Sequence, residues 1–229
     1  MSRVTTHFRP GTNPRGEDAR RRLIETALEV FALNGYEGAS TRILAERAAV
    51  NLPAIQYYFG SKEGLYRAAI DDIIAQIAGA MAPLGARIEV ALARRELAPA
   101  EALALLSEHL DAFVALVLGG QSTTSRKLFI ARAEIEWLAA IDPLHDSMIE
   151  NVVRPAAALV GRLIGRPAED DSTLLRTLAI LGQVTVFCNK PARRALGRAE
   201  FGPADVAALQ ALVREHLGAI FGAGKVARP

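Results

Sequence analysis

The sequence predicts an all-α protein in two parts: a small N-terminal domain of three helices containing a helix-turn-helix, then a larger C-terminal helical domain. Three observations carry this expectation. Alanine, leucine, arginine and glutamate, all good helix formers, are abundant, and β-branched alternation is scarce. Apolar residues recur three, four and seven positions apart along much of the chain, the period of a helix that buries one face. Between Ser40 and Glu63, two short helical patterns flank a break of a few residues.

Bulk properties narrow the class further. A chain of 229 residues, 51 % apolar and 23 % charged, has an ordinary globular composition and can bury a substantial core. The net charge of +2 excludes a polybasic coat, so any nucleic-acid contact must come from local charge. Cys188 is the only cysteine, which rules out an intrachain disulfide and a cysteine metal cluster. No apolar run approaches the roughly 18 residues that span a bilayer, and the N-terminus lacks an apolar signal core. A cytoplasmic protein without a membrane partner is expected.

In chain order, residues 1–17 mix Gly, Pro, Thr and Asn with Arg3, Arg9 and Arg15 and read as a flexible basic arm. Such an arm either reaches the minor groove or phosphates of a duplex, or is an extension without contacts. The next domain spans 18–80. Its first helix runs from near Asp18 to Asn34, with Leu23, Ala27, Val30 and Phe31 as its inner stripe and Gly35 as its stop. Arg20, Arg21 and Arg22 are either phosphate contacts or a solvated face. Ser40 or Thr41 caps the second helix, whose inner face holds Leu44 and Ala48. Ala49 and Val50 fill the turn. Asn51 caps the third helix, Pro53 occupies its first turn, and Ile55 and Phe59 point inward. Gly60 ends that helix in the left-handed conformation, and Ser61 caps the fourth. There Tyr66, Ile70, Ile73 and Ile77 form an apolar stripe, and Gly79, Pro83 and Gly85 punctuate the far end, which places a boundary near residue 80.

A helix, a tight turn and a second short helix form a helix-turn-helix, whose second helix offers its N-terminal residues to base edges in the major groove. The residues so presented are Leu52, Pro53, Ala54, Gln56 and Tyr57. Gln56 can pair bidentately with an adenine edge, which discriminates bases by about 1–3 kcal/mol. Leu52, Pro53 and Ala54 suit thymine methyls and close approach, and Tyr57 carries a hydroxyl for a phosphate. Lys62 lies at a helix N-terminus, where dipole and ammonium both favour a phosphate. Thr41 and Arg42, at the start of the second helix, complete the set assigned to DNA.

Residues 81–229 read as helices separated by Gly and Pro breaks: about 88–95, 99–118 and 125–140, then one from the Asp142-Pro143 break to about 165, one over 172–189, and a last from Gly202-Pro203 to Phe221. On the last, Val206, Leu209, Val213, Leu217 and Ile220 form a stripe. The last two long helices either close the chain's own core or pair with a second copy as a four-helix bundle. Polar residues inside these apolar helices, Arg132, Glu134, Glu136, Gln183 and Asn189, lie near Phe113, Phe129, Trp137 and Phe187 in sequence. They fit either a ligand cavity with polar anchors or an ordinary core with internal ion pairs. His7, His109, His145 and His216 converge on no zinc pattern, and no phosphate loop, nucleophile elbow or dinucleotide fingerprint occurs. No catalytic residue, metal or cofactor is expected.

The run N-L-P-A-I-Q-Y-Y-F-G-S-K-E-G-L-Y, preceded by N-G-Y-E-G-A-S-T-R-I-L-A-E-R-A-A-V, resembles the N-terminal domain of TetR-type transcriptional regulators over roughly residues 18–75. N-L-P-A-I-Q-Y-Y-F is similar to a subgroup that includes the CecR-like regulators, and R-A-E-I-E-W-L and V-V-R-P are similar to that subgroup's C-terminal domain. The resemblance implies a homodimer, a palindromic double-stranded DNA operator, a small-molecule effector held in a C-terminal ligand-binding and dimerisation domain, and repression as the usual outcome. Phe113, Arg132, Glu136, Trp137, Gln183 and Phe187 are the effector-binding candidates. Two rivals stand beside this reading: an architectural DNA-binding protein with no effector, and an all-helical enzyme with an accessory DNA domain.

Overall fold

The computed structural model describes residues 14–94, 96–119, 124–136 and 139–222, and every regular element among them is helical. Two compact units, Met1–Ala69 and Ile70–Pro229, divide the chain. The division falls inside a helix, ahead of the glycines and proline that placed it near residue 80.

In the first unit, α1 spans Pro14–Gly38 with Gly35 outside helical geometry at φ 74° and ψ 175°. The helix therefore starts four residues before Asp18, and Gly35 breaks it where the sequence predicts a stop. The remainder of the expected arm, residues 1–13, lies outside the described residues. Leu23, Ala27, Val30 and Phe31 are all buried. Past the break, Tyr36 folds back so that its ring stacks on Phe31 and meets Tyr66 edge-on, with centroids 6.0 and 5.3 Å apart. α2 covers Thr41–Arg47, and the Ser40 hydroxyl accepts the Ile43 N–H at 3.2 Å, so Ser40 rather than Thr41 is the cap. α3 covers Pro53–Phe59 and ends at Gly60, whose φ of 74° is the left-handed conformation that a side chain disfavours. Asn51 does not cap α3 with its side chain. Its backbone carbonyl accepts the Ala54 N–H at 3.0 Å, and the capping position falls to Leu52.

α4 runs unbroken from Lys62 to Leu92. Ser61 caps it, its hydroxyl accepting the Gly64 N–H at 3.0 Å. Gly79, Pro83 and Gly85, expected to end it, lie inside, and the separate helix over 88–95 merges with it. Burial explains the persistence: Ile73, Ile77, Met81, Leu84, Ile88 and Ala91 continue one buried stripe through the breakers, and packing of such a face outweighs propensity. By length and composition alone α4 is long and apolar enough to cross a membrane, which departs from the expectation that no run approaches that span. One face packs into protein while Arg87 and Glu89 stand exposed, and 28 % of its apolar 18-residue window is buried, the pattern of an amphipathic helix.

The second unit continues with α5 (Pro99–Leu118), α6 (Thr124–Ile135), a 3-10 turn into α7 (Asp142–Met148), a π-helical stretch (Ile149–Val153) leading into α8 (Arg154–Ile164), α9 (Asp171–Thr185), a short α10 (Lys190–Ala195) and α11 (Pro203–Phe221). α5 is central and packs against α8 and α11, while α8 packs against α9. The Asp142-Pro143 pair opens α7, as the break predicts. α10 went unforeseen, and α9 stops at Thr185 and passes through a 3-10 turn at Val186–Cys188. On α11, Leu209, Val213 and Leu217 are buried, whereas Ile220 is exposed.

Candidate nucleic-acid interface and C-terminal cavity

The helix-turn-helix takes its shape from small local devices. Leu44 and Ala45 of α2, Ala48 beyond it and Ile55 of α3 are all buried, which fixes which face of α3 turns outward. The turn passes through Ala49 at φ 52°, a left-handed conformation taken by a residue with a Cβ. At the far end of α3, a Cβ added to Gly64 would fall 1.9 Å from the Phe59 carbonyl oxygen, so only glycine lets the start of α4 pass so close under α3.

The outward face of α3 carries the residues expected to read bases. Leu52, Pro53 and Gln56 are exposed, Tyr57 is 68 % exposed, and Ala54 is half-buried. Arg42 is exposed and Thr41 half-buried on α2. Lys62 has a more definite situation. Its Nζ donates to the Tyr36 carbonyl at 2.8 Å and stands 4.2 Å from the centre of the Tyr36 ring. That contact ties the start of α4 to the chain just past the Gly35 break. Arg20, one of three arginines considered for phosphate, lies over the Phe59 ring at 5.4 Å, and Arg21 pairs with Asp18 at 3.1 Å. Burial, with Glu63 and Glu37 nearby, pushes the Tyr36 phenol above its usual range. From Ser40 to Lys62 the charged residues are Arg42, Arg47 and Lys62 against Glu46 alone, a local positive balance in a chain that is nearly neutral.

The second unit contains a cavity of about 430 Å³, within the roughly 300–1,000 Å³ usual for small-molecule pockets. Its apolar wall includes Ile73, Ile77, Phe113, Ile130 and Met148, and its polar groups include Arg126, Lys127, Glu134 and His145. Arg126 reaches across to Asp72 at 2.9 Å, which ties α6 to α4. Glu134 and His145, 3.9 Å apart, are each about half exposed. Lys127 is half-buried, and burial pushes its ammonium down from the usual lysine range; burial likewise pushes the Cys188 thiol up.

Of the effector candidates drawn from sequence, the cavity lining includes Phe113 and leaves out four others. Arg132 pairs with Glu136 at 3.3 Å. Gln183 meets the His216 ring nitrogen at 2.7 Å, and Phe187 meets Phe201 edge-on at 6.1 Å. Trp137 lies outside the described residues. Glu134 and Asn189, two of the polar residues noted inside the apolar helices, do line it, and the residues that sequence reasoning passed over, Lys127, Ile130 and Ala131, share helical spacing with Glu134 on α6. That stripe was the available signal. Among the described residues, no group of three or more His, Cys, Asp or Glu is placed to hold a metal ion.

Comparison with known proteins bears on both units. Residues 23–69 match the tetR family of bacterial regulatory proteins, and residues 102–224 match the C-terminal domain of the HTH-type transcriptional dual regulator CecR. The CecR protein of Shigella flexneri is 30 % identical over 178 residues, which covers 78 % of this chain and 79 % of that one. The regulatory protein RaaS of Mycobacterium tuberculosis is 43 % identical over 58 residues, 25 % of this chain and 26 % of that one. A solved TetR-like transcriptional regulator from Rhodococcus shares the fold with a TM-score of 0.59 at 21 % identity, over 90 % of this chain and 97 % of that one.

Proposed function

Because the chain belongs to the TetR family of bacterial regulatory proteins, with a CecR-type C-terminal domain, we propose that it works as a homodimeric, ligand-responsive repressor of a palindromic operator. It is a DNA-binding transcriptional regulator and not an enzyme. Two copies of α3, one per subunit, enter successive major grooves about 34–36 Å apart. Leu52, Pro53, Ala54, Gln56 and Tyr57 face the bases and nearby phosphates, with Thr41, Arg42 and Lys62 at the backbone. Lys62 gives one N–H to Tyr36 and keeps others for a phosphate. The observation that carries this reading is the division of α3, with Ile55 2 % exposed beneath and Gln56 and Tyr57 exposed above.

Homodimerisation draws support from the exposed apolar residues of α9 and α11. Leu175 is 69 % exposed, and Leu178, Leu212 and Ile220 are also exposed, a costly face to leave in water. The C-terminal cavity favours an effector over the purely architectural reading. A molecule that binds it more tightly in the state unable to span two grooves releases the operator by that difference in affinity. The work is done on DNA, in the cytoplasm.

Binding-site selection from a randomised duplex library with the full chain tests the proposal. The expected product is an inverted repeat with half-sites about one helical turn apart. Gln56→Ala is expected to flatten base preference at one position in each half-site, at a cost of about 1–3 kcal/mol. A selected site without two-fold symmetry sinks the dimeric reading, and unchanged preferences in the variant remove Gln56 from the readout. The S. flexneri relative is named a dual regulator, so a reporter fused to the selected site is read for activation as well as repression.

A further inference from the structure

We infer that the C-terminal cavity takes an amphipathic small-molecule anion, a carboxylate or similar acid on an apolar body, with its head held by Lys127. This rests on the reading of the cavity as the effector site and gives that effector a chemical class.

The argument is one of charge balance. One of the cavity's cations is matched, since Arg126 pairs with Asp72 at 2.9 Å; its carboxylate, Glu134, is about half exposed to water and stands 3.9 Å from the His145 ring. Lys127 has neither an ion pair nor a hydrogen bond among the described residues. It is half-buried in a wall shared with Ile130, Phe113 and Cys188. Removing an ammonium from water without a direct partner is unfavourable, and burial pushes this one below its usual range, with Arg193 adding to the effect and the Cys188 thiol and the Glu200 carboxylate opposing it from beyond ion-pair distance. An anion placed there recovers that cost, whereas a cation adds to it and a neutral polar group recovers only part. The rest of the wall is mainly aliphatic and aromatic, so it asks for an apolar body attached to that head.

The test uses the full-length protein and three probes. 1-Anilinonaphthalene-8-sulfonate, a fluorescent amphipathic anion, reports occupancy, and decanoate and decanamide compete for it as charged and neutral forms of one chain. Decanoate is expected to displace the dye at concentrations about tenfold lower than decanamide. Lys127→Met should abolish that preference and leave decanamide binding unchanged, and Lys127→Arg should retain it. Circular dichroism melts of both variants establish that they fold. Equal displacement by the two competitors in the parent protein, or a preference that survives in Lys127→Met, overturns the anion assignment while leaving the cavity as a site. If the folded protein binds neither the dye nor the competitors, the cavity is no effector site, and the ligand-responsive part of the proposed function falls with the inference.

Discussion

Two glycines of α4 offer a matched experiment on what seats the recognition helix. A methyl group placed on Gly79 meets nothing within 4 Å, whereas one on Gly64 falls 1.9 Å from the Phe59 carbonyl oxygen. Each substitution to alanine gains helix propensity of about 1 kcal/mol, so that contribution nearly cancels between them. What remains is the contact. To reach the closest separation that real Cβ atoms tolerate, 3.0 Å, the end of α3 must retreat by roughly 1 Å. The obstructing atom is backbone and cannot swing aside, which places the cost at the upper end of the about 1–3 kcal/mol typical of overpacking. Gly79→Ala is expected to stabilise by about 0.5–1 kcal/mol and Gly64→Ala to destabilise by about 1–2 kcal/mol. In a chain of this size the resulting gap in melting temperature is roughly 5–10 °C, read by circular dichroism. Because Phe59 closes α3, the same retreat shifts Gln56 and Tyr57. Operator affinity, read by fluorescence anisotropy on the selected duplex, should fall about tenfold for Gly64→Ala, as for the loss of one good base contact, and stay within about twofold for Gly79→Ala. Coincident melts and coincident affinities would refute the steric account.

Three further outcomes follow from single contacts. Lys62→Met keeps the apolar stem but loses the bond to the Tyr36 carbonyl and the charge over its ring. A loss of about 1–2 kcal/mol in urea denaturation is expected, and an unchanged midpoint would show that the clip contributes nothing. Ala49→Gly relieves the left-handed backbone at φ 52° and, after the added freedom of the unfolded chain, should gain about 0.5–1 kcal/mol; a loss would argue against that conformation. His109 is fully buried on α5, its Nε2–H donating to the Val152 carbonyl of the π-helical stretch at 2.9 Å, and burial pushes its pKa below the ordinary value. Below about pH 6.5 the unfolded chain takes up a proton there that the native state refuses, so stability declines on acidification by up to about 1.4 kcal/mol per pH unit until the folded pKa is reached. Above that range this contribution is flat. In His109→Gln the same stretch of the pH–stability curve should lie flatter, and identical curves would remove His109 as the source.

The legible parts of the fold were those set by local chemistry. Pro99 and Pro203 mark helix starts, Gly60 marks a stop, and the stripes of α1 and α4 show what is buried, because each depends on neighbours within a turn or two. α4 was misjudged for the opposite reason. Gly79, Pro83 and Gly85 are true local breakers, but Met81, Leu84 and Ile88 are buried between and beyond them, and tertiary packing outweighs propensity. The outward face of α3 follows from Ile55 and the turn, so the residues that this helix leaves exposed could be read directly. The cavity could not, because its walls come from segments far apart in sequence. Of the aromatic and polar residues chosen by proximity along the chain, Phe113, Glu134 and Asn189 line the cavity, while others found other partners, Phe187 with Phe201 and Gln183 with His216.

The arithmetic of release constrains what the cavity must do. Shifting a regulator from 1:99 to 99:1 between two states takes about 5.5 kcal/mol of differential binding. The tie that a ligand beside Lys127 would most directly disturb is the Asp72–Arg126 pair, whose side chains are 35 % and 19 % exposed. An ion pair near the surface is worth about 1 kcal/mol or less, and partial burial raises that figure without approaching the requirement. Electrostatic competition at Arg126 therefore cannot drive release alone. Apolar contact can supply the larger share from the ligand's own side, about 0.8 kcal/mol for each methylene it moves out of water, and α4 contributes Ile73 and Ile77, both already buried, to the wall that receives it. The same unbroken helix begins with Lys62 and Gly64, which seat α3. Under the proposed mechanism, the head group at Lys127 would set which molecules enter. The apolar body against α4 would then set whether the operator is released, so a small acid that reaches Lys127 without filling the space beside Ile73 and Ile77 is expected to bind and yet leave the DNA complex intact.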